Sequence, residues 1–148
     1  MKTTMTKKTF SLWSKRFFYV WTVSVLFLLS CIAFGQEHVI RVVADKDSRF
    51  KIPGEKRPEI TVKANEPVVL QIEAHRGKTW SRDGAVHGFT LLHAKDHSKV
   101  PGWDFELKDG MQEFRVNAPA EPGEYTVVCT VICSDNHENM SIRFVVVP

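Results

Sequence analysis

The chain has 148 residues, 43% hydrophobic and 25% charged, proportions that suit one globular domain with a short appendage and exclude a disordered or collagen-like polypeptide. Its formal charge of +3 is unevenly placed. The five cations before position 36 (Lys2, Lys7, Lys8, Lys15, Arg16) meet no acidic residue there, and from Gln36 onward fifteen cations face seventeen acids, a net −2. A nucleic-acid binder concentrates basic residues on its folded part, so no nucleic-acid partner is expected.

Residues 1–35 read as a leader and residues 36–148 as the working domain. Lys7, Lys8, Lys15 and Arg16 precede Phe17 to Phe34, an uncharged run rich in Phe, Val and Leu. Three readings compete. Ala33-Phe34-Gly35 supplies the small-residue cleavage site of a signal peptide, while the apolar run is also just long enough for a single transmembrane helix. Leu28-Leu29-Ser30-Cys31 resembles a bacterial lipoprotein signal, in which Cys31 would be lipidated. In each case the positive-inside rule sends the domain across the membrane, giving a periplasmic or extracytoplasmic protein, secreted or anchored by its N-terminal segment. There, Cys129 and Cys133 form a disulfide unless a soft metal holds them as thiolates.

After the leader, short segments rich in Val, Ile, Thr and aromatics recur about every ten residues: Val39 to Val43, Ile60 to Lys63, Pro67 to Ala74, Val86 to Leu92, Glu113 to Asn117, Tyr125 to Cys129 and Ser141 to Val147. Val68, Leu70 and Ile72 alternate with Val69, Gln71 and Glu73, and Ile142, Phe144 and Val146 repeat the pattern, so each segment has one apolar face. Pro53-Gly54, Pro101-Gly102 and Pro122-Gly123 read as turns. The expected fold is all-β, a Greek-key β-sandwich or barrel of seven or eight strands. His75 to Ala85 and Ala94 to Met111 lack strand character and read as long loops, carrying Trp80 and Trp103. Either tryptophan could cap the core or mark a site of electron entry.

Between the last two strands, Cys129, Cys133, His137 and Met140 fall within twelve residues. Two thiolates, an imidazole and a thioether are copper ligands, since soft sulfur favours Cu(I) and imidazole serves both oxidation states. Zinc has no use for a methionine. A histidine from elsewhere can complete such a set, and His87, on the strand after the first long loop, is the choice. His38, His75, His93 and His97 read as surface or incidental residues.

The spacing Cys-x3-Cys-x3-His-x2-Met resembles the ligand loop of the binuclear copper A (CuA) centre of cytochrome c oxidase subunit II and nitrous oxide reductase, within the cupredoxin superfamily. Val86-His87-Gly88-Phe89 resembles that family's upstream histidine motif, and Pro122-Gly123-Glu124-Tyr125 its approach to the first cysteine. The resemblance implies that Cys129 and Cys133 bridge two copper ions, that His87 and His137 each bind one, that Met140 is a weak ligand and that the backbone carbonyl of Val131 completes the set. Many respiratory members have a magnesium-binding glutamate where this chain has Val131, so no magnesium site is expected. Gly84 replaces an acidic residue common in the family, and the leader offers one membrane helix at most where subunit II commonly has two.

The function so implied is electron transfer, as a cytochrome c oxidase subunit II-like protein accepting electrons from cytochrome c beside haem-copper oxidase subunit I, with no independent catalysis. Alternatives are a free-standing or lipid-anchored copper electron-transfer protein for another reductase, or a copper-binding or delivery protein. A mononuclear blue copper site would leave one cysteine without a task. Asp135 and Glu138 flank His137 and could steer a basic redox partner. Asn139-Met140-Ser141 matches a glycosylation sequon by accident of the ligand loop, and no phosphate loop or nucleophile elbow is present.

Overall fold

A computed structural model of the chain describes residues 37–77, 83–135 and 137–148. The leader, with its three readings and Cys31, and Trp80 lie outside the described residues. The described strands are β1 (His38–Asp45), β2 (Arg49–Lys51), β3 (Glu59–Lys63), β4 (Pro67–Ala74), β5 (Ala85–His93), β6 (Lys99–Lys108), β7 (Gly110–Asn117), β8 (Gly123–Val128) and β9 (Ser141–Val147). They build two sheets, in the orders β2-β1-β4-β7 and β3-β9-β8-β5-β6. β1 runs parallel to β4 and β3 to β9, and the remaining pairs are antiparallel. The result is an all-β sandwich. Among the described residues the helical content is one 3-10 turn, His137–Asn139.

The period-2 pattern decides which side chains meet between the sheets. From one sheet come Ile40, Val42 and Ala44 of β1 with Val68, Leu70, Ile72 and Ala74 of β4. The other contributes Ile60, Val62, Phe89, Leu91, Tyr125, Val127, Ile142, Phe144 and Val146, all buried in one cluster. Burying such side chains stabilises the fold by about 1.5–3 kcal/mol each relative to exposure, before conformational entropy is counted. Tyr125 adds a tether, its hydroxyl donating to the Glu121 carbonyl at 2.7 Å. That bond closes the Pro122-Gly123 turn leading into β8.

β5 is unusual in being buried without alternation from Ala85 to Leu91. It lies between β8 and β6, and Phe89 and Leu91 face the core. Its other face is covered by the loop after β8, which is why Gly88 and Thr90 are buried too. A strand covered on both sides can hold a histidine rigidly and dry.

The second expected long loop is a correction. Ala94 to Met111 contains all of β6 and the start of β7. Pro101-Gly102 reads as a turn but sits inside β6, beside the register shift between Thr90 and Leu92 of β5. β6 is an edge strand, where a proline removes no ladder hydrogen bond and an irregularity is tolerated, and Gly102 takes φ +79° there. Trp103 is therefore no exposed loop residue. It is 2% exposed, meets Phe144 edge-on with centroids 5.2 Å apart, and donates its indole N–H to the Asn117 carbonyl at 3.0 Å. Replacing it with Ala is expected to lower unfolding stability by about 3–5 kcal/mol, read as a fall in the urea midpoint by circular dichroism.

Candidate metal centre

β8 and β9 pair up to Val128 and Ser141, and one further bond, from the Cys129 N–H to the Met140 carbonyl at 3.1 Å, closes the neck of loop 129–140. That bond brings the first and last residues of the sulfur motif together. Inside the loop the N–H of His137 donates to the Ser134 carbonyl at 3.3 Å and that of Met140 to the His137 carbonyl at 3.0 Å. This makes the 3-10 turn that returns Met140, 1% exposed, to the core.

The loop lies on β5 at backbone contact. A Cβ on Gly88 would stand 2.4 Å from Thr130 Oγ1 and 2.7 Å from the Thr130 nitrogen, closer than real atoms approach, so only glycine fits. The same residue's N–H donates to Cys129 Sγ at 3.3 Å. Gly77 plays a similar part on the other side, where a Cβ would meet the Cys133 carbonyl at 3.2 Å.

Cys129 and Cys133 are free thiols, 6% and 1% exposed, with their Sγ atoms 3.7 Å apart. Burial pushes the Cys129 thiol up to about 11, against the opposing effect of the Gly88 N–H. Without metal it keeps its proton and donates it to the Val131 carbonyl at 3.2 Å. A metal ion would displace that proton and hold the thiolate.

His87 is fully buried. Its Nε2 lies 3.0 Å from the His75 carbonyl, and a carbonyl only accepts, so Nε2 carries the hydrogen. Burial lowers its pKa below the usual histidine value, which keeps the ring neutral. Nδ1 is left with its lone pair, buried and without a hydrogen-bond partner. An orphaned buried acceptor is destabilising unless a ligand uses it.

One ring nitrogen of His87 and both thiol sulfurs lie within 4.8 Å of one another. Two thiolates at metal–sulfur distances of about 2.3 Å around a tetrahedral ion stand about 3.8 Å apart, close to the 3.7 Å present here. Two soft sulfurs with a neutral imidazole suit Cu(I) in particular. The donor set fits copper.

Of the residues expected from the sequence, His87, Cys129 and Cys133 come together, the Val131 carbonyl sits against the Cys129 sulfur, and Met140 lies at the loop neck. His137 is not in the group of three. It is half-buried, and its Nδ1 donates to the Ser134 carbonyl at 3.0 Å, so the turn that places Met140 also holds this ring. Asp135 and Glu138 are exposed beside it. The sequence reading missed the His75 carbonyl, which selects the His87 tautomer while the His75 side chain stays at the surface, and it missed Gly77. Gly88 was visible only as a small residue after the histidine.

No family model matches the chain, and no curated protein matches it in sequence. Solved structures resemble it in shape. Auracyanin A, a "blue" copper protein from the green thermophilic photosynthetic bacterium Chloroflexus aurantiacus, is 19% identical over 76% of this chain and 100% of its own, with a TM-score of 0.52. The dithionite-reduced auracyanin of Roseiflexus castenholzii is 15% identical over 77% of this chain and 100% of its own, at 0.51. A chain of a haem-copper terminal oxidase dimer aligns at 16% identity over 93% of this chain and 97% of its own, at 0.49. The likeness to the two auracyanins shows that this chain shares their fold.

The close approach at residue 88 gives a direct test of the site. Gly88→Ala is expected to destabilise the fold by about 1–3 kcal/mol through overpacking and to weaken copper binding at least about tenfold by displacing Cys129. Competition of the variant and the unaltered chain against a Cu(I) chelator checks it.

Proposed function

We propose that the chain is a copper electron-transfer protein with a binuclear copper A centre. Cys129 and Cys133 would hold the two copper ions together with His87 and His137, and the Val131 carbonyl and the Met140 thioether would be the weaker ligands. The observation that carries this reading is the pair of buried free thiols 3.7 Å apart grouped with the ring of His87, whose Nδ1 lacks any other partner. A mononuclear blue site uses a single thiolate and would bury the second for nothing.

Such a centre spreads one electron over both metals and both sulfurs, so little rearranges on oxidation. The chain's own residues keep it so. The His75 carbonyl fixes the His87 ring, the Gly88 N–H stabilises negative charge on Cys129, and the core around Met140 excludes water. His137 would join the site through Nε2, or through Nδ1 on giving up its bond to the Ser134 carbonyl. The domain works outside the cytoplasm, secreted or held at the membrane by residues 1–35. It receives electrons from cytochrome c as a subunit II-like component beside haem-copper oxidase subunit I, or serves another reductase as a free-standing carrier.

The position of His137 outside the group favours a second reading, a copper-binding or delivery protein with one Cu(I) on His87, Cys129 and Cys133. Metal analysis and electron paramagnetic resonance separate the two. The proposed centre gives two coppers per chain and, half oxidised, a purple species with one electron shared over two copper nuclei. One copper per chain, with a four-line signal or none after oxidation, overturns it in favour of the second reading.

The ligand strengths also set an order among variants. Cys129→Ser is expected to abolish the shared-electron signal, whereas Met140→Leu keeps both metals and shifts the reduction potential, because a weak thioether tunes a copper site without holding it. Potentiometric titration of both variants checks the order.

A further inference from the structure

Each cysteine of the loop is followed by a hydroxyl residue, Thr130 after Cys129 and Ser134 after Cys133, and each hydroxyl is tied to a different sheet. Thr130 Oγ1 lies 3.0 Å from Thr90 Oγ1 on β5, and the Thr90 hydroxyl donates to Asp104 Oδ1 on β6 at 2.6 Å. Thr90 has a single proton and gives it to the carboxylate, so Thr130 is the donor to Thr90. Lys99 pairs with the other oxygen of Asp104 at 2.5 Å and, with the Thr90 hydroxyl, holds that carboxyl below its ordinary pKa. The chain of donors therefore runs one way, from the ligand loop through a fully buried threonine to an ionised surface carboxylate.

On the opposite side Ser134 Oγ bonds Ser48 Oγ. Ser48 lies between β1 and β2, is 5% exposed and has φ +60°, a left-handed conformation that a serine adopts only where its surroundings impose it. The carbonyl of the same Ser134 receives both the N–H and the ring Nδ1 of His137.

We propose that Thr90, with Asp104, and Ser48 are positioning residues that clamp the two halves of the loop to opposite sheets and so set the separation of the two sulfurs before any metal arrives. The inference rests on the reading of Cys129 and Cys133 as ligands. Its consequence for electron transfer is a dithiol already near its metal-bound geometry, which lowers the rearrangement on loading and on redox change.

The test uses the full chain, copper-free and reduced, and measures the rate of iodoacetamide alkylation at each sulfur by tandem mass spectrometry. Loss of one clamp should expose its own sulfur. Thr90→Val and Asp104→Asn are expected to speed alkylation of Cys129 about five- to tenfold and of Cys133 by less than about twofold. Ser48→Gly, which keeps the left-handed backbone and removes the hydroxyl, is expected to do the reverse. Thr90→Ser restores protection. Asp104 is half-exposed, so its variant carries the test if Thr90→Val does not fold. Equal acceleration at both sulfurs in every variant, the mark of general loosening, overturns the proposal, as does no acceleration at either. Because no copper is present, the outcome is independent of how many ions the site holds, and a failure of the binuclear reading would appear in metal analysis instead.

Discussion

The site depends on one steric constraint: loop 129–140 lies on β5 so closely that residue 88 has no room for a Cβ. From that contact follow the hydrogen bond from Gly88 N–H to Cys129 Sγ, the meeting of Thr130 with Thr90 and the burial of β5 on both faces. His87 is the neighbour of Gly88, so the contact that fixes the loop also fixes the distance from the histidine to the sulfurs. The neck bond between Cys129 and Met140 sets where the loop begins, and Gly88 sets how it lies.

Beside that contact lies one group that is poorly satisfied by itself. The His87 Nδ1, buried and without a hydrogen-bond partner, opposes folding. The apolar core outweighs it, with side chains such as Phe89, Leu91, Tyr125 and Phe144 closed between the sheets. Metal binding to the folded chain adds stability by mass action, and here it would also relieve the orphaned nitrogen. A buried polar atom left without a partner beside two buried thiols is the expected signature of a site kept for function.

Much of this was legible in the sequence, for identifiable reasons. β4 and β9 carry unbroken apolar alternation, and their bounds coincide with the segments read from it. Cys129 and Cys133 stand out in the sequence through their spacing to His137 and Met140, and His87 through the motif around it; the structure groups the three side chains. β6 was hidden by Pro101-Gly102, a pair that means a turn in isolation and a bulge on an edge strand in context. Other features leave no local mark at all. The tautomer of His87 depends on a carbonyl twelve residues away, and the tie between Ser48 and Ser134 spans 86 residues. Position 48 would draw notice only through its backbone angle, and φ is not written in the chain.

The central claim is that His87 offers Nδ1 to a metal shared with the two thiols while Nε2 stays bonded to the His75 carbonyl. Cu(I) is diamagnetic, so nitrogen-15 resonance of the ring in the copper-loaded, reduced protein reads it directly. The account predicts that Nδ1 moves to a metal-bound shift on loading while Nε2 remains protonated and hydrogen-bonded. A metal-bound Nε2 with a protonated Nδ1, or a His87 ring unchanged by copper, would contradict it.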